Sequence, residues 1–398
     1  MNPLFLPTDF EKSLIQIIQN YCRHEFALVR MTDTMLKKGI IDASEEIRLF
    51  LKTESIIDFE EIIQGEKRMR NSTILLSEGP FLTKCSFYRP RTKNGDPRFW
   101  VYGLKQLVDS NTLVYLTFHK KRIIVIPLIN HPDFKRKMKV YFGDNKEEEQ
   151  MVKRFRDKIS AVAQSGWVMS VSPYKLNDKD IGETLERELG IQINNLKTPD
   201  FEGGIEVKGK KINSKTKDTL FSMVPNWQIS TVKSSNEMAL NYGYEDREYE
   251  GYKALFVTVS QKPNAQGLFL EVDEENEMIH QKCLQGDKTV NVCSWKFEDI
   301  MQRLNAKHPK TMWVVAEHTW INSMVYFKYI KVEYSRDPIF TQFLYLVQEG
   351  IITFDWRRRA DMGAKVKLGS SKIDYGQGFR IDPRNRKLLF GEVVDFRL

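Results

Sequence analysis

The stretch from Gly182 to Lys211, GETLERELGIQINNLKTPDFEGGIEVKGKK, constrains this chain more than any other segment. It opens with helical spacing, crosses a polar turn and ends in the alternating pattern of a strand. Side chains on a strand alternate between faces, so Glu206 and Lys208 share one face and Val207 points the other way, toward a core. Asp200 precedes them in a turn that Pro199 stiffens and that Gly203 and Gly204 free. The run GIEV is apolar enough to predict a central strand rather than an edge. Two carboxylates and an ammonium at one strand end can hold a divalent metal and activate a water.

The rest of the chain gives that segment a setting. At 398 residues it exceeds one ordinary core, so two domains are expected. The charged, glycine-bearing GDNKEEEQ at 143–150 marks the boundary, giving an N-terminal α+β domain over 1–147 and a second domain over 148–398. Thr8 with Glu11 forms a capping box ahead of an amphipathic helix over 8–22. A charged helical region is expected from Asp42 to about Arg70. From Ser72 the period falls to two, and TILLS, FLTKCSFY, RFWVYGL, NTLVYLTF and RIIVIPLI read as strands. In the second domain a helix over 148–163 precedes the opening stretch, and 220–272 is strand-rich. A helix follows in WKFEDIMQRLNAKHPKT with Trp295 inward, then strands in TMWVVAEH and MVYFKYIKVEY. DPIFTQFLYLVQEG reads as a helix capped by Asp337 and Gly350. IITFDW is a strand, and RRRADMGAKVKLGSSKIDYGQGFR a long basic loop.

Composition excludes several classes. No run of 18 or more apolar residues appears, and acids stand where a secretory leader carries bases, so a cytoplasmic protein without membrane contact is expected. Cys22, Cys85, Cys283 and Cys293 lack the CxxC spacing of a zinc site or disulfide framework. The histidines are scattered, without a partner at ligand spacing. A net charge of +8 with 12% aromatics suits nucleic-acid binding and an ordinary soluble protein equally.

A lone E-x-K triplet is weak evidence, because several arise by chance in a charged chain and most are solvated strand faces. Asp200 in the turn and the flanking glycines strengthen it. Magnesium takes oxygen ligands and keeps several waters, so Asp200, Glu206 and the Val207 carbonyl suffice as protein ligands, and the metal polarises a phosphate. Lys208 would orient the attacking water and offset charge building on the phosphate. Glu186 and Glu188 on the preceding helix are candidate outer ligands, although either could be a plain surface acid.

The ordered series TLERELGI…N…PDFEGGIEVKGK, TLFSMVPNW, NAQGLFLEV, WKFEDIMQRL…PKT and DWRRR…DYGQGFRI resembles the MvaI/BcnI family of restriction endonucleases over roughly 150–398. That family is related to the MutH mismatch-repair nicking enzyme and has the PD-(D/E)XK fold. The resemblance implies an α/β catalytic domain with a mixed central sheet, and type II cleavage of double-stranded DNA. Asp200, Glu206 and Lys208 align with its metal-binding and catalytic triad, with magnesium as cofactor. It further implies a monomer cutting short, CC-starting sites one strand after the other, and a cognate DNA methyltransferase not held as a stable complex. Two positions depart from the family pattern. Tyr375 stands where a histidine is expected near DYGQGF, and the Gly203-Gly204 pair lengthens the turn by one residue.

Base reading needs hydrogen-bond donors on a protruding element. Arg357, Arg358, Arg359, Lys372 and Arg380 supply them, since paired Arg contacts to guanine are the commonest specific ones. Lys365 and Lys367 add to the charge, Asp374 could accept from a cytosine amino group, and Tyr375 lies among them. The plainer reading is a basic loop touching phosphates only. In the N-terminal domain, Arg89, Arg91, Lys93 and Arg98 crowd one turn and suit either a second DNA-contacting module or a structural hairpin. The rival functions are a MutH-like nicking or repair enzyme and a DNA-binding protein without catalysis.

Overall fold

The computed structural model describes residues 6–22, 24–143, 146–191, 199–214, 216–390, 393–396 and 398. The side chains of Lys93, Lys146 and Glu148 fall outside the description, as do residues 144–145 of the boundary segment and Asn194 and Asn195 of the family motif. The backbone forms two compact units, Asn2–Glu148 and Glu149–Leu398.

The first unit is a seven-stranded sheet in the order Phe26–Arg30, Leu113–His119, Arg122–Pro127, Lys67–Leu75, Pro80–Tyr88, Arg98–Val101, Ile41–Asp42. Neighbours are antiparallel except for the parallel pair Lys67–Leu75 and Arg122–Pro127. The helix Asp9–Gln19 starts at the expected capping box, with the Glu11 N–H donating to the Thr8 hydroxyl at 3.2 Å. Glu11 has a second role, because its carboxylate holds the buried Arg30 guanidinium at 2.8 Å. The helix expected from Asp42 to Arg70 is confined to Glu45–Thr53. Arg68 and Arg70 instead lie on the strand Lys67–Leu75, where ladder bonds to Pro80–Tyr88 outweigh a charged sequence's helical preference.

The second unit contains three sheets. A mixed sheet runs Val394–Phe396, Met324–Arg336, Lys310–Ile321, Glu206–Lys211, with Val168–Met169 paired to Met324–Arg336. An antiparallel sheet runs Asp218–Ser222, Gly378–Ile381, Ile352–Asp361, Tyr252–Val259, Tyr244–Glu245. The third is the antiparallel set Leu268–Asp273, Met278–Gln285, Lys288–Lys296. The helices Lys146–Gln164 and Asp180–Leu189 supply Phe155, Ile159, Leu185 and Leu189 to a core shared with Val207, Val314 and Phe327.

Several local expectations are corrected here. The Glu206 strand is an edge strand, paired only with Lys310–Ile321 among the described residues, and in parallel. Its apolar start reflects the helices packed on it rather than a second neighbour. A helix, Ser235–Tyr242, interrupts the strand-rich 220–272 region. Trp295 lies near the end of the strand Lys288–Lys296 instead of opening a helix, although it is fully buried as expected. The helix after it is Phe297–Lys307. Asp337 does not cap the next helix, Phe340–Gln348: its backbone is left-handed, with φ 45°, and Ile339 takes the cap position. Gly350 comes one residue beyond the Glu349 cap, with φ 69°.

Candidate active site

The local chemistry of 182–211 explains how the site is assembled. Gly209 lets the helix Asp180–Leu189 approach the strand Glu206–Lys211, since a Cβ there would meet the Gly182 nitrogen and Ile181 Cγ2 at 3.0 Å. The Tyr329 hydroxyl donates to the Ile181 carbonyl at 2.9 Å and ties the helix start to the sheet. Gly203 turns the chain with φ 68°, and the carboxylate of Asp200 accepts the Val207 N–H at 3.0 Å. That bond fixes the turn acid against the strand, where the charge of Glu206 acts on it.

Glu206 is 1% exposed, and each of its oxygens faces an ammonium: Oε1 faces Lys208 at 2.5 Å and Oε2 faces Lys307 at 3.1 Å. Burial pushes its carboxyl up, but Lys208 and then Lys307 hold it below the ordinary value. Burial, followed by the Glu206 charge, raises the Asp200 carboxyl. Glu186 is pushed up to about 7, first by burial and then by Asp200. Glu188 does not join them: it is exposed and pairs with Arg187 at 2.7 Å. Three carboxylates thus share one field, the oxygen-donor set a magnesium ion takes, and their mutual repulsion is what a divalent cation relieves. Among the described residues no three His, Cys, Asp or Glu side chains are gathered closely enough to chelate an ion as they stand.

Lys307 and His308 escaped the sequence reading. A lysine ending a helix is the usual complement to the helix dipole, and a lone histidine has no ligand spacing to flag it. His308 is fully buried, with Nδ1 2.8 Å from the Thr311 hydroxyl and Nε2 2.7 Å from the Leu220 carbonyl. The carbonyl can only accept, so Nε2 carries the proton and Nδ1 accepts from Thr311. Burial first, then the Lys208 charge, lowers the imidazole to about 4, so it stays neutral. Its ring stacks on Trp313 with centroids 5.8 Å apart.

Lys208 also lines an open cleft of about 880 Å³ whose wall includes Lys217, Arg357, Arg359, Tyr375 and Arg380. Eight cationic side chains line it against two carboxylates, Asp178 and Asp218, so the cleft attracts a polyanion. The residues expected on a long loop are placed differently. The strand Ile352–Asp361 carries Arg357, Arg358 and Arg359, because its pairing with Tyr252–Val259 continues to Asp361. Arg357 Nη2 and Arg380 Nε both pair with Asp355 Oδ2, at 2.8 Å and 3.1 Å. Arg358 pairs with Asp374 at 2.7 Å, and the other Asp374 oxygen accepts the Gly376 N–H at 2.9 Å.

Arg359 is 5% exposed and serves as a structural hub. It binds Asp246 at 2.5 Å, Glu248 at 3.0 Å, the Lys372 carbonyl at 3.0 Å and the Tyr375 hydroxyl at 2.9 Å. Tyr375 remains half exposed at the cleft wall, its ring edge-on to Phe256. Lys372 belongs to a short exposed helix, Ser370–Ile373. In the other unit, Arg89 donates to the Gly95 carbonyl at 2.9 Å and Arg98 pairs with Asp42 at 2.8 Å, whereas Arg91 is exposed. The side chain of Lys93 lies outside the described residues.

A mixed sheet whose edge strand carries a buried acid beside a lysine, next to a basic cleft, suits an enzyme acting on a polyanion. Residues 156–390 match the model of the MvaI/BcnI restriction endonuclease family, and the chain belongs to that family. It is therefore a restriction endonuclease, a site-specific deoxyribonuclease. Among solved structures, the chain is similar to a complex of the restriction endonuclease MvaI with its cognate DNA substrate. Identity is 23%, coverage is 62% of this chain and 98% of that one, and the TM-score is 0.53. MvaI in the absence of DNA aligns at 22% identity over 62% and 97% of the two chains, with a TM-score of 0.38. No curated protein matches significantly. No helix among the described residues is long and apolar enough to cross a membrane.

Proposed function

We propose that this endonuclease is a cytoplasmic, monomeric type II enzyme that hydrolyses double-stranded DNA at a short, G·C-rich, CC-starting site. Its site would be of the PD-(D/E)XK type, with magnesium held by Asp200, Glu206 and the Val207 carbonyl, and Glu186 available as a further oxygen donor. The reading rests on one observation above all: Lys208 touches the buried Glu206 at 2.5 Å and also lines the basic cleft. The same side chain thus belongs to the acid cluster and to the surface a phosphate backbone would occupy.

When bound, magnesium neutralises charge on the scissile phosphate and lowers the pKa of water. The residues of the chain supply the rest. Lys208 orients the attacking water and offsets the developing charge. Asp200, tied to the Val207 N–H, holds its carboxylate against the strand. Arg357, Lys217 and Arg380 draw the backbone into the cleft, and Tyr375, Arg358, Asp374 and Lys372 are assigned to reading or bracing the bases. Arg359 would act indirectly, by fixing Tyr375. A cognate methyltransferase would act as a separate enzyme.

The test is digestion of unmethylated phage DNA and of supercoiled plasmid by purified protein with magnesium. Discrete fragments with identical end sequences are expected. Open circles alone would point to a nicking enzyme of the MutH kind. Uncut DNA across a range of salt would refute nuclease action at this site. For the first unit we propose a second DNA contact through Arg91, with Arg89 and Arg98 bracing the turn and Lys93 as a further candidate.

A further inference from the structure

We propose that Lys307 is a built-in counter-ion that keeps Glu206 from serving as a metal ligand until DNA draws the ammonium away. The inference rests on the reading of Glu206 as a metal ligand. Glu206 is 1% exposed and has one ammonium opposite each oxygen. A carboxylate so buried needs compensating charge, and in the free enzyme two lysines provide it. A divalent ion and two ammonium groups repel one another around a single carboxylate, so each lysine weakens metal binding at Glu206. Moving one lysine aside therefore strengthens it.

Geometry selects which one. Lys208 is two residues from Glu206 on the same strand, and its position at the cleft wall keeps it where a phosphate would lie. Lys307 comes from the far end of the helix Phe297–Lys307, a hundred residues along the chain, and reaches Glu206 only through its flexible stem. The next residue, His308, is clamped between the Leu220 carbonyl and Thr311, so the backbone is held and the side chain alone can swing. An entering phosphate competes for that ammonium, since a charge-assisted bond to phosphate is strong. The free enzyme would then bind metal weakly, and DNA and metal would bind cooperatively.

The test is Mn²⁺ binding to the full-length protein, measured calorimetrically with and without duplex DNA carrying the mapped site. Without DNA, Lys307→Met should bind Mn²⁺ about tenfold or more tightly than wild type, while Lys307→Arg stays close to wild type. DNA should tighten Mn²⁺ binding to wild type but add little for Lys307→Met. Lys307→Gln, which keeps a donor without the charge, should repeat the gain and covers the case in which the methionine variant misfolds. An unchanged or weaker affinity in folded Lys307→Met and Lys307→Gln would overturn the counter-ion role, provided that Glu206→Gln abolishes binding. If Glu206→Gln instead binds Mn²⁺ as wild type does, the assignment of Glu206 as a metal ligand falls.

Discussion

Two buried glutamates illustrate opposite solutions to the same problem. Glu206 is compensated by two lysines, whereas Glu46 accepts from the Leu28 N–H with no cation beside it among the described residues, and burial pushes its carboxyl up to about 8. A carboxyl raised on folding contributes stability that is fully present below its unfolded value and is lost as pH climbs through its folded value. Wild-type melting temperature should thus decline from pH 5 to pH 9. Glu46→Gln should flatten that slope by the equivalent of a few kcal/mol, measured by calorimetry at three pH values. At the proposed catalytic centre, Lys208→Ala should cut the cleavage rate by about 10²-fold or more while leaving DNA binding measurable in a gel shift. Unchanged cutting would make the Glu206–Lys208 pair structural. The meeting of Glu206 with Lys208 was legible because a period-2 strand fixes which side chains share a face. Lys307 was not, because its partner is distant in sequence and nothing local distinguishes it from an ordinary helix-ending lysine.

Among the secondary-structure elements, the helix and strand around Gly209 depend on the absence of a side chain. Backbone at Gly182 cannot yield as a flexible side chain would, so Gly209→Ala should cost about 1–3 kcal/mol in unfolding experiments. Because that helix carries Glu186, cleavage should fall with it. The arginine strand shows a different limit of sequence reading. Three consecutive arginines suggest a solvated loop until their acidic partners are known, and Asp246, Glu248, Asp355 and Asp374 come from several separate segments. Arg359→Met should destabilise by about 3 kcal/mol, since it strands Asp246 and frees Tyr375. Thermal melts alongside cleavage assays separate that outcome from a lost base contact. The expected Asp337 cap failed for a related reason: the strand Met324–Arg336 delivers the chain in a left-handed conformation that no local pattern announces.

At the scale of the whole chain, length and the charged, glycine-bearing stretch at 143–150 point to two units, and the backbone divides at Glu148/Glu149. The three sheets of the second unit were not legible in the sequence, since edge and partner are decided by long-range pairing. If the first unit holds a second duplex, Arg91→Glu should leave cleavage of a short one-site duplex intact. The same change should remove any stimulation by a second site supplied in trans, read as the initial rate with and without added oligonucleotide.

The Glu206 strand has its parallel partner at Lys310–Ile321, and the residues between them build much of the other two sheets. That order has a bearing on biosynthesis. A nascent chain that has emerged only as far as residue 300 has Asp200, Glu206 and Lys208 but lacks the strand that Glu206–Lys211 pairs with. The proposed cutting centre therefore has no sheet to close on until the residues from Lys310 onward are made. Products terminated before Lys310 should be harmless to the genome of the cell producing them.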